Sequence, residues 1–318
     1  MTRIVFLDRS TMGPEVELIR PNASHEWIEH DRSAVEDVVD RLGGAEVAIT
    51  NKVPITAEVL AQLPDLKFVT VAATGYDCID LEACKAHGVT VSNVRGYAKN
   101  TVPEHTFALI LALKRAIPGY RDAVLKGRWQ EEQQFCFFDH LVSDLAGGKI
   151  GIIGEGVIGQ SVGRIAEAFG MQVMFAAHKG VDGLGLLYTP FDQMLAEADV
   201  ITCHAPLTPS TRNVLAMPEF KAMKQQPIII NTARGGLVHE ADAVAALEEG
   251  LISGLGFDVL TTEPPEPNNP IYVAASRPDV ILTPHTAWAS NQAMVEVWRQ
   301  VIESINAFLT GNPVRTLT

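Results

Sequence analysis

The stretch that decides the fold runs Lys149-Ile150-Gly151-Ile152-Ile153-Gly154-Glu155-Gly156-Val157-Ile158-Gly159. KIGII is a short apolar run of the kind that fills a buried strand, and it enters Gly-x-Gly-x-x-Gly without a spacer. Val162, Ile165, Ala166 and Phe169 follow at helical spacing. In such a turn the first glycine makes the tight bend and the second lets the backbone approach a pyrophosphate. The third permits close packing of helix on strand, and the helix N-terminus adds amides and a positive dipole. Alone the motif is weak. With a strand before it and a helix after it, Gly154, Gly156, Val157, Ile158 and Gly159 read as a dinucleotide-binding turn.

Further strands are expected near residues 172–176, 199–203, 227–231, 253–257 and 279–283. Six strands separated by helices match the count of a complete dinucleotide fold. Upstream, strands are expected near 3–8, 46–50, 67–71 and 88–92, again alternating with helices, which is the mark of parallel α/β architecture. Thr101 to Arg115 reads as one long helix, with Thr101 as cap, Pro103 in the first turn and Glu104 completing a capping box. Its middle, FALILAL, is apolar all round and is expected to be buried between domains or subunits. A last helix near 290–310 is long enough to return to the first domain. The expected division is residues 1–97 with 287–318 as one domain and 98–286 as the other.

The chain has 318 residues, 47% of them apolar and 20% charged, enough for two globular domains. Its net charge of −13 lacks the cationic field that binding to a phosphate backbone needs, so nucleic acid is excluded as a general partner. The apolar run at Ile4 to Leu7 is too short for a signal peptide, and no stretch reaches the length of a membrane span. Cys78, Cys84, Cys136 and Cys203 form no CxxC pair, and no His/Cys spacing indicates a metal. A soluble cytoplasmic protein is expected.

Ligands of open parallel sheets bind outside the carboxyl ends of the strands. There the expected strands deliver Ala177-His178-Lys179, His204-Ala205-Pro206, Asn231-Thr232-Ala233-Arg234-Gly235-Gly236, Asp258 and then Glu263 in TTEPPEP, and Pro284-His285. Arg234, Glu263 and His285 on one edge, beside a dinucleotide turn, form a candidate catalytic set. The two glycines after Arg234 imply a backbone closely approached by something. His105 and His204 read as packed structural histidines and stay outside the set.

GYDCIDLEACKAHGVTVSN (75–93), the glycine turn, NTARGGLVHEADAVAALEEGLISGLGFDV (231–259) and TPHTAW (283–288) together resemble the D-isomer-specific 2-hydroxyacid dehydrogenases. Phe135-Cys136-Phe137 and Trp288 resemble the glycerate dehydrogenase, or hydroxypyruvate reductase, branch. The resemblance implies a Rossmann domain inserted in a smaller flavodoxin-like domain, and a homodimer formed through the long helix and the loop after it. It implies that Arg234 binds the substrate carboxylate, that His285 is the acid/base and that Glu263 partners His285. Thr74 and Gly75 match a small-domain loop at cofactor and substrate, Asp258 the carboxylate on the carboxamide side, and Trp288 a substrate-pocket residue. Ala205, Pro206, Thr211, Thr232 and Ala233 fall in the implied cofactor set. The implied reaction is hydride transfer between NAD(P)H and a small 2-keto acid, foremost hydroxypyruvate to D-glycerate, with glyoxylate to glycolate as a side activity. Phosphoglycerate or D-lactate specificity and a dinucleotide-sensing binding protein stay open. A phosphorylated substrate would want extra cations, for which Lys52 and Arg95 are the candidates.

The cofactor choice rests on the second strand of the fold. That strand normally ends in Asp or Glu, whose carboxylate binds the ribose hydroxyls of NAD. Here the position falls on Ala177, the next acidic residue is Asp182, and His178 and Lys179 follow at once. NADPH is therefore expected to be accepted and preferred, with His178 and Lys179 toward the 2′-phosphate.

Overall fold

The computed structural model describes residues 1–181 and 183–318; Asp182 lies outside them. Backbone contacts divide the chain into two units, Met1–Ala98 with Ala289–Thr318, and Lys99–Trp288.

The first unit holds a five-stranded parallel sheet made of β1 (Thr2–Phe6), β2 (His25–Glu29), β3 (Val47–Thr50), β4 (Phe68–Val71) and β5 (Thr90–Asn93). Their order is β2-β1-β3-β4-β5, a flavodoxin-like doubly wound arrangement. The inner strands β3 and β4 are buried throughout, whereas β2, HEWIE, is only half covered. That is why β2 carries no apolar run and escapes a reading by hydrophobicity. The helix Asn291–Leu309 completes this unit: Ser290 caps it, Trp298 stacks on Phe6 at 5.2 Å and Phe308 on Phe68 at 4.5 Å.

The second unit holds seven parallel strands: β6 (Lys149–Ile153), β7 (Gln172–Ala176), β8 (Tyr188–Thr189), β9 (Val200–Cys203), β10 (Ile228–Asn231), β11 (Gly254–Phe257) and β12 (Val280–Leu282). The order is β12-β11-β10-β9-β6-β7-β8. The expected six strands are present, and β8 adds a seventh by pairing Tyr188 with Phe175 and Thr189 with Ala176. Two residues are too few to leave a periodicity in the sequence. Alternate residues of the central strands face opposite ways: Ile201, Cys203 and Ile229 enter one apolar cluster, Val200, Ile228 and Ile230 the other. Because the chain leaves β6 toward β7 on one side and returns to β9 on the other, the switch point lies between β6 and β9.

Helix α1 (Thr101–Lys114) covers one face of this same sheet, with Phe107, Leu109 and Ile110 in the cluster that also holds Val162 and Ala166 of α2 (Val157–Ala168). Its apolar middle is thus spent on its own unit, while Glu104 and Ala108 are exposed. The capping arrangement also differs from expectation. Asn100 is the N-cap and makes no side-chain bond, and Thr101, already helical, donates its hydroxyl to the Ala287 carbonyl at 3.0 Å.

Candidate active site

Parallel strands put every carboxyl end of the second sheet on one edge, and the candidate residues stand there. The glycine turn follows β6. Gly154 has φ +108°, and a Cβ on it would stand 2.6 Å from the Ala205 amide nitrogen. A Cβ on Gly159 would stand 1.9 Å from the Gly154 carbonyl oxygen. The first and third glycines are therefore required by the protein's own packing, which seats the turn against His204-Ala205 at the switch point. Gly156 differs: a Cβ there would meet nothing within 4 Å. Its position is open, exposed and at the N-cap of a 12-residue helix, which is the cradle a pyrophosphate needs. The residues present fit a dinucleotide.

On the adenosine side of such a turn, β7 ends at Ala176, and the buried Ala177 donates its amide to Thr189 at 2.8 Å. Among the described residues, none of those that follow β7 directly, Ala177, His178 and Lys179, carries a carboxylate. His178 is exposed, with its ring edge-on to Tyr188 at 6.4 Å between centroids. Lys179 is engaged: its Nζ lies 2.7 Å from Oε1 of Glu219, whose side chain is only 7% exposed. Glu219 also accepts the Ala216 amide through Oε2 at the start of α3 (Met217–Ala222). Thr211 closes its own loop, donating to the Pro206 carbonyl at 2.7 Å and accepting from the Thr208 amide. The Thr232 and Thr106 hydroxyls meet at 2.9 Å; since Thr106 donates to Val102, Thr232 is the donor in this pair.

Arg234 sits on a turn that Asn231 ties together. The buried Asn231 side chain donates to the Arg234 carbonyl at 2.9 Å and accepts from the Ala233 amide at 3.2 Å. Arg234 Nη1 donates to the Ala233 carbonyl at 2.8 Å. The close approach implied by the two glycines is real, but its source is protein: a Cβ on Gly235 would lie 1.9 Å from the Leu260 carbonyl oxygen. That contact lays the Glu263 loop on the Arg234 turn. Glu263 then accepts the Leu260 amide through Oε1 at 2.9 Å and meets His285 Nδ1 through Oε2 at 2.5 Å. So the structure brings Arg234, Glu263 and His285 onto adjoining loops, with Glu263 on the Nδ1 side of the His285 ring. Trp288, half-buried, ends the same segment. Thr74 and Gly75 belong to the first unit, just beyond β4, where Thr74 Oγ1 donates to the Val94 carbonyl.

Asp258 is almost fully buried and spends both carboxylate oxygens internally. Oδ1 accepts from Thr283 Oγ1 at 2.5 Å and the Thr286 amide at 2.9 Å, and Oδ2 accepts the Ala287 amide at 2.9 Å. It binds the loop that carries His285, whose φ is +53°. Sequence reasoning missed this role, along with that of His105, whose Nε2 lies 3.0 Å from Thr283 Oγ1. The only signal for His105 was its place on α1, facing the carboxyl edge one turn after Thr101. His204 is the packed histidine it was taken for: burial pulls its pKa down to about 3, and Nε2 pairs with Thr202 Oγ1 at 2.9 Å.

Comparison with known proteins identifies the family. Residues 107–287 match the model of the D-isomer specific 2-hydroxyacid dehydrogenase NAD binding domain. The chain is 47% identical to a glycerate dehydrogenase of Methylorubrum extorquens over 98% of this chain and 97% of that one. It is 34% identical to a hydroxypyruvate reductase of Blautia hydrogenotrophica, over 99% of both. A solved acyclic imino acid reductase in complex with NADPH and D-Arg superposes with a TM-score of 0.81 at 27% identity, covering 100% of each chain. The chain belongs to the D-isomer-specific 2-hydroxyacid dehydrogenases.

Proposed function

We propose that this protein reduces small 2-keto acids with NAD(P)H, hydroxypyruvate to D-glycerate first and glyoxylate to glycolate as a side activity. The single observation that carries the reading is the Glu263–His285 pair, 2.5 Å apart, on loops that adjoin the Arg234 turn. Relatives named glycerate dehydrogenase and hydroxypyruvate reductase, matched along nearly their whole length, support the substrate.

The reduced nicotinamide, when bound, supplies the hydride. Arg234 clamps the substrate carboxylate through two parallel charge-assisted hydrogen bonds and so fixes the keto carbon. His285 gives the proton on Nε2 to the keto oxygen, and Glu263 at Nδ1 orients the ring for that transfer. Trp288 narrows the pocket. Thr74 and Gly75 contact cofactor and substrate, and Asp258, Thr232, Ala233, Ala205, Pro206 and Thr211 shape the nicotinamide and ribose walls. Residues 98–286 form the dinucleotide-binding domain, which also carries Arg234 and His285, and residues 1–97 with 287–318 form the substrate domain. Of the two candidate cations for a phosphorylated substrate, Arg95 donates Nε to Asn93 at 3.2 Å and keeps its charge.

NADPH is preferred in this reading. Ala177 leaves the 2′ position without a repelling carboxylate, and His178 is exposed to donate there; Lys179 contributes when it exchanges Glu219 for the phosphate. The active form is a homodimer. Phe135, Phe138 and Leu141, after α1, are 87%, 86% and 87% exposed, and a second copy is the partner that covers them. The compartment is the cytoplasm, in keeping with four free cysteines and with no described helix long and apolar enough to cross a membrane.

A panel of keto acids with both reduced cofactors, read as kcat/KM, tests the reading. Hydroxypyruvate is expected to lead. Phosphohydroxypyruvate or pyruvate ahead of it would move the protein to another specificity, and oxidation of neither cofactor by any keto acid would end the enzyme reading.

A further inference from the structure

Thr283 sets the direction of a proton chain that runs from α1 to the loop of His285. Its hydroxyl has one proton, and Oγ1 lies 2.5 Å from Asp258 Oδ1, a carboxylate oxygen that only accepts. The proton points to Asp258, so Thr283 Oγ1 can only accept from His105 Nε2 at 3.0 Å. His105 is thereby the tautomer protonated on Nε2, and that N–H also lies 3.7 Å from Asp258 Oδ1. At the far end, Asp258 holds the amides of Thr286 and Ala287, the two residues after His285. The Asp258 carbonyl holds the amide of His285 itself at 2.9 Å.

His285 needs holding. Its φ of +53° lies in the left-handed region, which a residue with a Cβ rarely adopts unless its surroundings fix it. Asp258 supplies three of the bonds that fix it, to the amides of His285, Thr286 and Ala287, beside the Thr283 carbonyl at 3.0 Å from the His285 amide, and Asp258 is itself aligned by the Thr283 hydroxyl. Helix α1 grips the loop a second time one turn earlier, through Thr101 on the Ala287 carbonyl. A histidine on a helix that never reaches the reacting atoms is thus hydrogen-bonded, through one hydroxyl and one carboxylate, to the backbone of the residue that does.

We propose that His105 is a positioning residue for His285: its Nε2–H locks Thr283 toward Asp258, and Asp258 then holds the amides that keep His285 in its left-handed backbone. The proposal rests on His285 as the acid/base, and deepens that reading.

The test uses the full-length enzyme with His105→Leu, which keeps volume and loses the donor, and His105→Gln, which keeps an N–H donor on a side chain of similar reach. Thr283→Val and the double variant His105→Leu/Thr283→Val complete a cycle. Turnover and KM are measured with hydroxypyruvate, reduced-cofactor Kd by nicotinamide fluorescence, and the His285 ring by NMR. His105→Leu is expected to lose about tenfold in kcat, the scale of one lost hydrogen bond, with cofactor Kd unchanged and the His285 ring signals shifted. His105→Gln recovers most of the turnover, and the double variant is no slower than Thr283→Val alone, because both cut one chain. A native kcat with unshifted His285 signals in His105→Leu would overturn the proposal. So would Gln no better than Leu, or additive losses in the double variant. Should the native enzyme turn over no keto acid, the functional reading falls, and the His285 signals still decide whether His105 positions that ring.

Discussion

Glu263 and His285 are joined through a single carboxylate oxygen: Oε2 meets Nδ1 at 2.5 Å, while Oε1 is taken by the Leu260 amide at 2.9 Å. The carboxylate has a partner on each oxygen and cannot swing away. It therefore fixes both the orientation of the imidazole and the charge beside it, from a loop that Gly235 allows to lie on the Arg234 turn.

Replacing Glu263 with Gln removes that charge and keeps the shape. A neutral amide oxygen is a weaker acceptor than a carboxylate oxygen, so the ring is held less firmly. A loss of about tenfold in kcat for reduction is expected in Glu263→Gln, the scale of one weakened charge-assisted hydrogen bond, with cofactor affinity unchanged. A native kcat in the folded variant would remove Glu263 from the chemistry.

Arg234→Lys puts one ammonium where a planar fork is needed. A loss of about 10- to 100-fold in kcat/KM is expected, as for charge-assisted hydrogen bonds worth about 1.5–3 kcal/mol, with circular dichroism and cofactor binding intact. Near-native kcat/KM in the folded variant would mean that the substrate carboxylate binds elsewhere.

Cofactor choice is read in Ala177→Asp. The added carboxylate at the end of β7 attracts ribose hydroxyls and repels a 2′-phosphate, so the NADPH-to-NADH ratio of kcat/KM is expected to fall well below the native value. Glu155, between the first two glycines and hydrogen-bonded by the Tyr188 phenol, is an acidic group beside the turn. Glu155→Gln is expected to raise the same ratio. A native ratio below one, or ratios unmoved by Ala177→Asp, would reverse the preference proposed for NADPH.

Much of this was legible in the sequence, for a physical reason: buried parallel strands are apolar runs, and the turns that end them hold the chemistry. KIGII-GEGVIG and NTARGG each announce a strand and what stands at its end. What stayed hidden is what depends on distant partners. The half-covered edge strand β2 has the mixed composition of a loop, and β8 is two residues long. Thr101 looks like a cap because Glu104 follows three residues later, yet its hydroxyl is needed at Ala287, 186 residues on. The two glycines after Arg234 read as a backbone closely approached by something, and what approaches Gly235 is the Leu260 carbonyl. Lys179 reads as a cation at the end of β7, and the sequence does not show that Glu219, 40 positions away, stands 2.7 Å from it.

His204 gives a pH effect on stability, separate from catalysis. Burial holds it neutral down to about pH 3, whereas in the unfolded chain it takes a proton near its ordinary value of 6.5. Between those values the unfolded chain binds more protons, so its contribution is full above the upper value and declines as pH falls toward the lower. In His204→Gln the fall of Tm on going from neutral to acid pH is expected to be shallower than in the native protein. An equal slope would show that other groups carry the acid sensitivity.

The most direct measurement is cofactor oxidation with hydroxypyruvate by the native enzyme and by His285→Ala, alongside titration of both with NADPH. The native enzyme is expected to oxidise the cofactor and form D-glycerate, while His285→Ala binds NADPH with native affinity and does not turn over. Turnover by His285→Ala near the native rate would contradict the assignment of His285 as the proton donor, and with it the mechanism built on Glu263 and Arg234.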